Sequence, residues 1–359
     1  MTEKLQIRDL LRENIRNIKP YSSARSEFTG AADIFLDANE NYRDFVDASH
    51  PRNRYPDPNQ TKLKAQVAAL FAVDPDMLFL GNGSDEAIDL LYRAFARPGI
   101  DRAVIFPPTY GVYQVFADLN DIATIGVQLD EDFHIDEAEL GLRLAGEEPT
   151  RVKLLWICSP NNPTGNAIAP DVVARIAGLF PGIVVVDEAY QDFSSTPSAI
   201  SLLPGYRNLV VLRTFSKAWG LANARFGLAI ADPEIAAVLK SIKYPYNLSG
   251  QTQETAAAAI ATEKAVREGI GRIVTMREEL VEKLGSIPYV QRVYPSDANF
   301  ILVKVHDADR LYQRLRSDGI IIRNRTTQPG CANCVRITVG SAEENRALLE
   351  TMERYGGEL

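Results

Sequence analysis

The chain has 359 residues, 46% hydrophobic and 24% charged, a composition typical of a globular protein with two domains, or with one large α/β domain and a smaller companion. Its formal net charge of −8 argues against a nucleic-acid or anionic-membrane partner, although a local basic pocket could still bind phosphate. Three cysteines argue against a disulfide framework, and we find no signal core or membrane-length apolar run, so we expect a cytoplasmic protein.

The first predicted element is an amphipathic helix at the start of the chain. Its apolar residues, on or near one face, are Leu5, Leu10, Leu11, Ile15 and Ile18. We assign residues 1–30 to an N-terminal arm that joins the smaller domain.

Residues 31–250 alternate between short apolar runs and helical periodicity, which predicts a large α/β domain. The predicted strands are DMLFL, RAVIF, IATIGVQL, VKLLWIC, GIVVVD, NLVVLR and FGLAIA. The helices among them include TKLKAQVAALFAV, APDVVARIAGLF and SDEAIDLLYRAFARPG, the last with Ser84 as its N-cap. Strands that are apolar on both faces and alternate with helices indicate a mostly parallel sheet covered by helices on both sides.

Residues 251–359 predict a smaller α+β domain. A long helical stretch comes first, and we expect it to break only near its glycines. Strand ANFILVKV, helix ADRLYQRLRSDG and strands IIIRN and VRITVG follow. The last helix, SAEENRALLETMERYGG, opens with a capping box formed by Ser341 and Glu344.

Polar turns follow five of the predicted strands of the large domain. They are residues 81–85, 107–110, 159–165, 187–190 and 214–217. In open α/β sheets, ligands bind beyond the carboxyl ends of the strands, so these turns predict a ligand site at one edge of the sheet.

The turn GNGSD joins a strand to a helix N-terminus, an arrangement whose backbone N–H groups bind anions. Gly83, Ser84 and Asp85 are its candidate ligand-binding residues. A dinucleotide site is disfavoured because the third glycine is missing and the next strand ends at Pro107 without an acid for a ribose. A single phosphate fits better, and a plain capped helix is the alternative.

Two ionisable residues stand where burial is expected. Asp187 ends the run IVVV, so its carboxylate needs a partner, which is either a cap or an arginine, or the protonated nitrogen of a heterocycle. Lys217 follows a predicted buried strand and is either paired and tolerated or a reactive amine that forms an imine with an aldehyde. Ser216 and Arg225 beside it suit a phosphate. Together these groups describe a pyridoxal 5′-phosphate site.

On these residues the chain resembles the fold-type I pyridoxal-phosphate aminotransferases. The matching motifs, in order along nearly the whole chain, are RENIRNIKPYSSAR, LDANEN, RYPDP, GSDEAIDLLYRAF, PPTYGVY, CSPNNPTG, VVVDEAY, TFSKAWGLANARFG, ANFI and VRITVG. NNPTG, DEAY and the lysine–arginine pattern are specific to the superfamily. PYSSAR and RYP are similar to the histidinol-phosphate branch of the family.

The resemblance implies a role for each matching residue. Lys217 would form the imine with the cofactor and later shuttle a proton, and Asp187 would pair with the pyridine nitrogen. Tyr110 would stack on the ring, while Tyr190 and Asn162 would bind the ring O3′. The phosphate would be held by Gly83, Ser84, Asp85, Ser216, Arg225 and, from the second subunit of a homodimer, Tyr55.

The resemblance also implies histidinol phosphate and 2-oxoglutarate as substrates, in histidine biosynthesis. Arg336 would hold a substrate's anionic group, while Arg323 and Tyr21 would help to select a phosphate-bearing substrate. A guanidinium forks to a carboxylate or a phosphate, so two arginines a few strands apart could accept both substrates in turn. A plain surface charge is the alternative at either arginine.

Three other functions stay open on the sequence. Two share the fold, namely an aromatic-amino-acid aminotransferase and a threonine-phosphate decarboxylase. The third is a non-catalytic regulatory module that binds the cofactor, and it is disfavoured because we see no appended helix-turn-helix or basic segment.

Three residues depart from the family's usual pattern and bear on the substrate rather than on the cofactor. Asn223 replaces a glycine, Tyr42 a proline, and Trp219 a smaller aromatic residue. Asparagine tolerates a positive φ, so we expect a small cost at position 223 if the backbone requires one.

Cys331 and Cys334 have metal-like spacing, but nothing near them completes a zinc site, so we expect no metal.

Overall fold

Two β-sheets organise the chain in the computed structural model, which describes residues 6–19, 21, 33–47 and 52–356. The strands of the larger sheet are β1 (Leu78–Asn82), β2 (Arg102–Ile105), β3 (Ala123–Gly126), β4 (Val152–Cys158), β5 (Ile183–Asp187), β6 (Leu209–Thr214) and β7 (Phe226–Ala231). They lie in the order β1–β7–β6–β5–β4–β2–β3, and β7 alone among these described strands runs antiparallel to the other six. The predicted mostly parallel sheet is confirmed.

Helices cover both faces of the larger sheet. They are α1 (Ile7–Leu10), α2 (Glu13–Arg16), α3 (Thr61–Phe71), α4 (Gly83–Phe95), α5 (Val112–Leu119), α6 (Glu137–Ala145), α7 (Pro170–Leu179), α8 (Pro233–Ile242) and α9 (Gly250–Ala261). Successive side chains of a strand point to opposite faces. Accordingly, Val184 and Val186 of β5 join one apolar core, while Ile183 and Val185 join the core on the other face.

The start of α4 differs from the prediction. Ser84 is not the N-cap, because the helix begins at Gly83 and its N-cap is Asn82, two residues before Ser84 and without a side-chain cap. The Gly83 backbone has a φ of +69°, and its N–H donates to the carbonyl of Arg225 at 2.8 Å. A contact with a distant strand therefore sets the start of this helix, which local capping preferences do not reveal.

The N-terminal segment also differs from the prediction of one amphipathic helix. It forms two single turns, α1 and α2, because Leu11 is extended and the Arg12 N–H donates to the Ala94 carbonyl of α4. Ile7 and Leu11 are buried in the core that contains α4, which favours grouping this segment with the larger sheet, while its assignment to the smaller domain stays an untested prediction. Leu5 lies outside the described residues.

The smaller sheet is antiparallel. Its strands are β8 (Val290–Val293), β9 (Phe300–Val305), β10 (Arg323–Asn324) and β11 (Cys334–Thr338), in the order β10–β11–β9–β8. The helices that pack with it are α10 (Glu263–Gly285), α11 (Ala308–Ser317) and α12 (Ala342–Arg354). Strand β8 was not predicted, and β10 has two residues instead of the predicted five. The predicted capping box at Ser341 and Glu344 is confirmed.

The long helical stretch breaks at Thr262 and not at its glycines, since Gly269 and Gly271 lie inside α10. Ala256, Ala257 and Ile260 of α9 pack into a core of the larger sheet. The division into domains stays a prediction, and these contacts support moving its second boundary from residue 250 toward Thr262. Among the described helices, none is both long and apolar enough to cross a membrane.

Candidate active site

A cavity of about 520 Å³ opens at the carboxyl edge of the larger sheet. Its described lining comes from the turns after β1, β2, β4, β5 and β6, and from residues of β10, β11 and the turn between them. Most of the predicted site residues lie there, namely Gly83, Ser84, Asp85, Tyr110, Asn162, Asp187, Tyr190, Ser216, Lys217, Arg225, Arg323 and Arg336. Because β7 is antiparallel, Arg225, which precedes it, reaches the same edge as the carboxyl ends of the other strands.

The start of α4 has the features of an anion site. Helix N-termini present unpaired backbone N–H groups and a positive dipole end, and the first turn of α4 starts at the cavity with Gly83, Ser84 and Asp85. The Arg225 guanidinium donates to the Ser216 hydroxyl at 3.4 Å and to the Asp85 carboxylate at 3.2 Å. A Cβ on Gly83 would lie 2.6 Å from Arg225 Nη2, and the φ of +69° at this position also favours glycine, so a larger residue would displace the Arg225 side chain.

Asp187 lies at the end of β5 and is almost fully buried, with 2% of its surface exposed. Its Oδ2 accepts a hydrogen bond from the Tyr113 hydroxyl at 2.8 Å, and its Oδ1 accepts one from the Ala189 N–H at 3.2 Å. Burial raises the pKa of Asp187 to about 6, and both hydrogen bonds oppose that rise. The carboxylate is therefore desolvated, oriented, and adjacent to the cavity.

Lys217 shares the cavity with Asp187. Its Nζ lies 5.6 Å from the centroid of the Tyr190 ring, and that ring packs edge-on against Phe300. Burial lowers the pKa of Lys217, and the nearby Arg336 lowers it further, while Asp187 acts in the opposite direction. A larger fraction of this amine is unprotonated at neutral pH than for an exposed lysine, which is the state that attacks a carbonyl.

Arg336, in β11, joins the smaller sheet to the cavity. Its Nη1 donates to the side-chain oxygen of Asn162, and its guanidinium lies 5.1 Å from the centroid of the Phe300 ring. Its Nε is buried without a hydrogen-bond partner among the described residues. Arg323 of β10 lies directly opposite Arg336 of β11 in the antiparallel pair that these two strands form. A partly buried guanidinium with an unused donor is suited to a carboxylate or phosphate ligand.

Four polar residues of this region were not predicted from the sequence. Arg325 and Gln328 line the cavity, and the side chains of Arg325, through Nε, and Thr326, through Oγ1, each have a buried polar atom without a described partner. Tyr113 contacts Asp187 from behind the cavity lining. The sequence RNR at residues 323–325 indicated that Arg325 could bring a second guanidinium group to the site beside Arg323. By contrast, nothing in the sequence PPTYGVY distinguishes the role of Tyr110 from that of Tyr113.

Two predicted residues do not line the cavity of the described chain. Tyr55 is half exposed and its ring stacks on Tyr246, with centroids 4.4 Å apart. Tyr21 is 75% exposed. Their proposed roles stay predictions, and for Tyr55 a position outside its own cavity is what a contact with a second subunit requires.

None of the three residues that depart from the family pattern belongs to the described lining of the cavity. Asn223 has no positive φ, and the left-handed residue of this turn is Arg225, with a φ of +53°. Trp219 stacks on Phe215 with centroids 4.4 Å apart, and Tyr42 is 82% exposed.

The two cysteines with metal-like spacing lie apart from the cavity lining. Cys331 and Cys334 are free and buried in a small cluster with Phe133, Tyr294 and Leu302. Among the described residues, no group of three or more metal-ligating side chains occurs.

The charge of the cavity is opposite to that of the chain. Five basic side chains line it, against two carboxylates. They are Lys217, Arg225, Arg323, Arg325 and Arg336, while the acids are Asp85 and Asp187. Such an excess inside an acidic protein attracts small, multiply charged anions.

Comparisons with known proteins agree with this arrangement. The profile of the aminotransferase class I and II family matches residues 26–352. The chain is similar to the histidinol-phosphate aminotransferase of Parabacteroides distasonis, with 48% identity over 97% of this chain and 98% of the relative.

Two solved structures have a similar fold. The histidinol-phosphate aminotransferase of Clostridium acetobutylicum has a TM-score of 0.78 and 25% identity, over 86% of this chain and 92% of that one. The structure of the histidinol-phosphate aminotransferase of Sinorhizobium meliloti in complex with pyridoxal-5′-phosphate has a TM-score of 0.75 and 24% identity, over 84% and 82%.

Proposed function

The chain belongs to the class I and II aminotransferase family, and we propose that it transfers the amino group of histidinol phosphate to 2-oxoglutarate in histidine biosynthesis. The products are imidazole acetol phosphate and glutamate, and the cofactor is pyridoxal 5′-phosphate. The observation that carries the choice of substrate is the excess of guanidinium groups in the cavity. The cofactor needs one anion site, and each of the two substrates brings at least one further anion.

The residues present fit the cofactor at both of its ends. The first turn of α4, Ser216 and Arg225 would hold its phosphate, where the glycine at position 83 leaves the room that a Cβ would fill. Asp187 would hold a proton on the ring nitrogen, because a desolvated carboxylate is stabilised most by a partner that carries positive charge. Tyr110 would face the ring, and Asn162 and Tyr190 would bind its hydroxyl oxygen.

When bound, pyridoxal phosphate supplies an electron sink that stabilises negative charge at the substrate α-carbon. This chain's own residues supply the rest. The Lys217 amine, with its lowered pKa, accepts the proton from the substrate α-carbon and returns it in the other direction of transfer. Asp187 stays charged and keeps the ring nitrogen protonated while this happens.

Three arginines would recognise the substrate anions. Arg336 has a buried, unused Nε donor and suits the α-carboxylate of glutamate or 2-oxoglutarate. Arg323 and Arg325 lie on β10 and just beyond it, and would bind the phosphate of histidinol phosphate. Two neighbouring guanidinium groups repel each other, and a phosphate dianion offsets this repulsion more than a single carboxylate does. A phosphorylated amine is therefore favoured as the substrate.

We also propose that the enzyme is a cytoplasmic homodimer. Large apolar side chains are exposed in described residues 33–47, among them Leu36 at 92% and Val46 at 87%. A second copy of the chain would cover such a surface, since patches of this kind mark protein contacts. Tyr55, which lies outside the cavity of its own chain, would then contact the cofactor phosphate of the neighbouring subunit.

The proposed activity is tested by assaying the purified, cofactor-loaded protein with 2-oxoglutarate and a panel of amines. We expect glutamate to form rapidly with histidinol phosphate, and at least about tenfold more slowly with unphosphorylated histidinol, because the charged hydrogen bonds to the phosphate are lost. Good turnover of phenylalanine without turnover of histidinol phosphate would make the chain an aromatic aminotransferase. Carbon dioxide release from threonine phosphate would make it a decarboxylase, and no conversion of any amine would indicate a regulatory module.

A further inference from the structure

Tyr113 touches the catalytic carboxylate without being part of the cavity wall. It lies in α5 and is fully buried, and its hydroxyl donates to Asp187 Oδ2 at 2.8 Å. Tyr110, three residues earlier and outside α5, lines the cavity, but Tyr113 does not belong to the described lining. Its hydroxyl therefore acts on Asp187 and has no direct access to a ligand.

The position of Tyr113 is set by packing on three sides. Its ring stacks on Trp156 with centroids 5.2 Å apart and planes 14° apart. Its backbone carbonyl accepts a hydrogen bond from the Tyr92 hydroxyl at 3.0 Å, and its ring meets that of Tyr110 edge-on at 5.6 Å. The phenol is thus held in one orientation and aimed at the carboxylate.

We propose that Tyr113 is a positioning residue that keeps the Asp187 carboxylate ionised and oriented toward the ring nitrogen of pyridoxal phosphate. This inference rests on the proposed role of Asp187. A neutral donor suits that task, because it stabilises the buried anion through a hydrogen bond while leaving its charge for the cofactor. An arginine or lysine in the same place would neutralise the carboxylate and compete with the ring nitrogen.

The ionisation of the two groups agrees with this role. Burial raises the pKa of Tyr113 well above its usual value, so its hydroxyl remains a donor at every physiological pH. The hydrogen bond from Tyr113 lowers the pKa of Asp187 against the larger effect of burial. Five other ionisable groups interact electrostatically with Asp187, so that the charge of one partner shifts the pKa of the other. They are Asp85, Lys217, Cys158, Tyr110 and Tyr190.

The first test compares Tyr113→Phe with Tyr92→Phe as a matched control. Both changes remove one buried phenol oxygen beside Trp156, but only the first removes a donor to Asp187. In the cofactor-free protein, the protonation midpoint of Asp187 is followed by the infrared carbonyl stretch that Asp187→Asn abolishes. We expect Tyr113→Phe to raise this midpoint by about one pH unit and to weaken pyridoxal phosphate binding about tenfold at pH 7. Tyr92→Phe removes a bond to the Tyr113 backbone but leaves the Tyr113 hydroxyl and its ring contacts in place, so it should shift the midpoint by less than about 0.3 pH unit and the affinity by less than about twofold.

The second test asks whether Tyr113 acts through Asp187. Binding of pyridoxal phosphate to cofactor-free protein is measured for Asp187→Asn and for the Tyr113→Phe/Asp187→Asn double variant. We expect the double variant to bind within about twofold of Asp187→Asn, because the partner of the hydroxyl is already altered.

The outcomes separate this inference from the proposed function. Unchanged binding in Asp187→Asn would overturn the role of Asp187, and the inference with it. Weakened binding in Asp187→Asn, together with a Tyr113→Phe variant that matches Tyr92→Phe in midpoint and affinity, would overturn the inference alone. So would a full tenfold further loss in the double variant, since it would mean that Tyr113 acts by packing.

Discussion

Gly227 of β7 lies so close to the first turn of α4 that a Cβ on it would come within 2.3 Å of the Ser84 backbone nitrogen. The strand thereby holds the end of the helix at the cavity. We predict that Gly227→Ala displaces this turn, destabilises the protein by about 1–3 kcal/mol, and weakens pyridoxal phosphate binding. Thermal unfolding with and without the cofactor measures both effects.

The control for this change is Gly271→Ala. A Cβ on Gly271, inside α10, meets nothing within 4 Å. The alanine should leave cofactor binding unchanged and stabilise the helix by about 0.5–1 kcal/mol. Equal cofactor affinity in the two variants would show that the Gly227 contact does not shape the anion site.

Arg325 provides a test of substrate selection. We predict that Arg325→Gln lowers kcat/KM for histidinol phosphate by about 10–100-fold, because charged hydrogen bonds to the phosphate are lost. The rate with unphosphorylated histidinol should fall much less. Arg316→Gln, on the outer helix α11 and away from the described lining, is the control and should leave the ratio of the two rates unchanged. A parallel fall with both amines in Arg325→Gln would argue against a phosphate contact.

The buried carboxylate predicts a pH dependence of stability. In the cofactor-free protein burial raises the pKa of Asp187 from 3.8 to about 6. The folded state then binds a proton more tightly than the unfolded state between these values, so stability is lost as pH rises through this window and stays reduced above it. Relative to Asp187→Asn, the parent protein should lose up to about 3 kcal/mol between pH 4 and pH 7.

Denaturant unfolding of the parent protein and of Asp187→Asn between pH 4 and pH 7 measures the difference between their free energies of unfolding. The contributions of the other titratable groups cancel in this difference. A difference in the free energy of unfolding that does not change with pH would contradict the assigned environment of Asp187.

The homodimer is tested by complementation. We predict that Lys217→Ala and Tyr55→Ala are each impaired as pure proteins, but that mixed dimers regain activity. In a mixed dimer, one site combines the intact Lys217 of one chain with the intact Tyr55 of the other, so random pairing restores about one quarter of all sites. Activity after joint refolding measures this. No gain over the unmixed proteins would mean that Tyr55 does not reach the neighbouring site.

Much of the site could be predicted because it follows from strand ends. Asp187 ends an apolar strand, Lys217 and Asn162 lie in the turns that follow two others, and the carboxyl ends of parallel strands share one edge of a sheet. The phosphate turn was found for the same reason. These predictions needed only the order of elements along the chain, and no knowledge of long-range packing.

The errors arose where distant contacts decide local structure. Gly83 rather than Ser84 starts α4 because its N–H is bonded to Arg225, 142 positions away. The N-terminal helix is interrupted because Arg12 bonds to α4. Tyr113 was overlooked because the direction of a tyrosine in PPTYGVY depends on where α5 begins, which the sequence alone does not state.

The central claim is that pyridoxal phosphate bonds to Lys217 in this cavity. Borohydride reduces a C=N bond to a stable amine, so reduction of the loaded protein followed by peptide mapping identifies the lysine that carries the cofactor. We predict one labelled peptide, containing Lys217, which persists in Lys240→Ala and disappears in Lys217→Ala. Labelling at another lysine in the parent protein, or undiminished labelling of Lys217→Ala, would contradict the account.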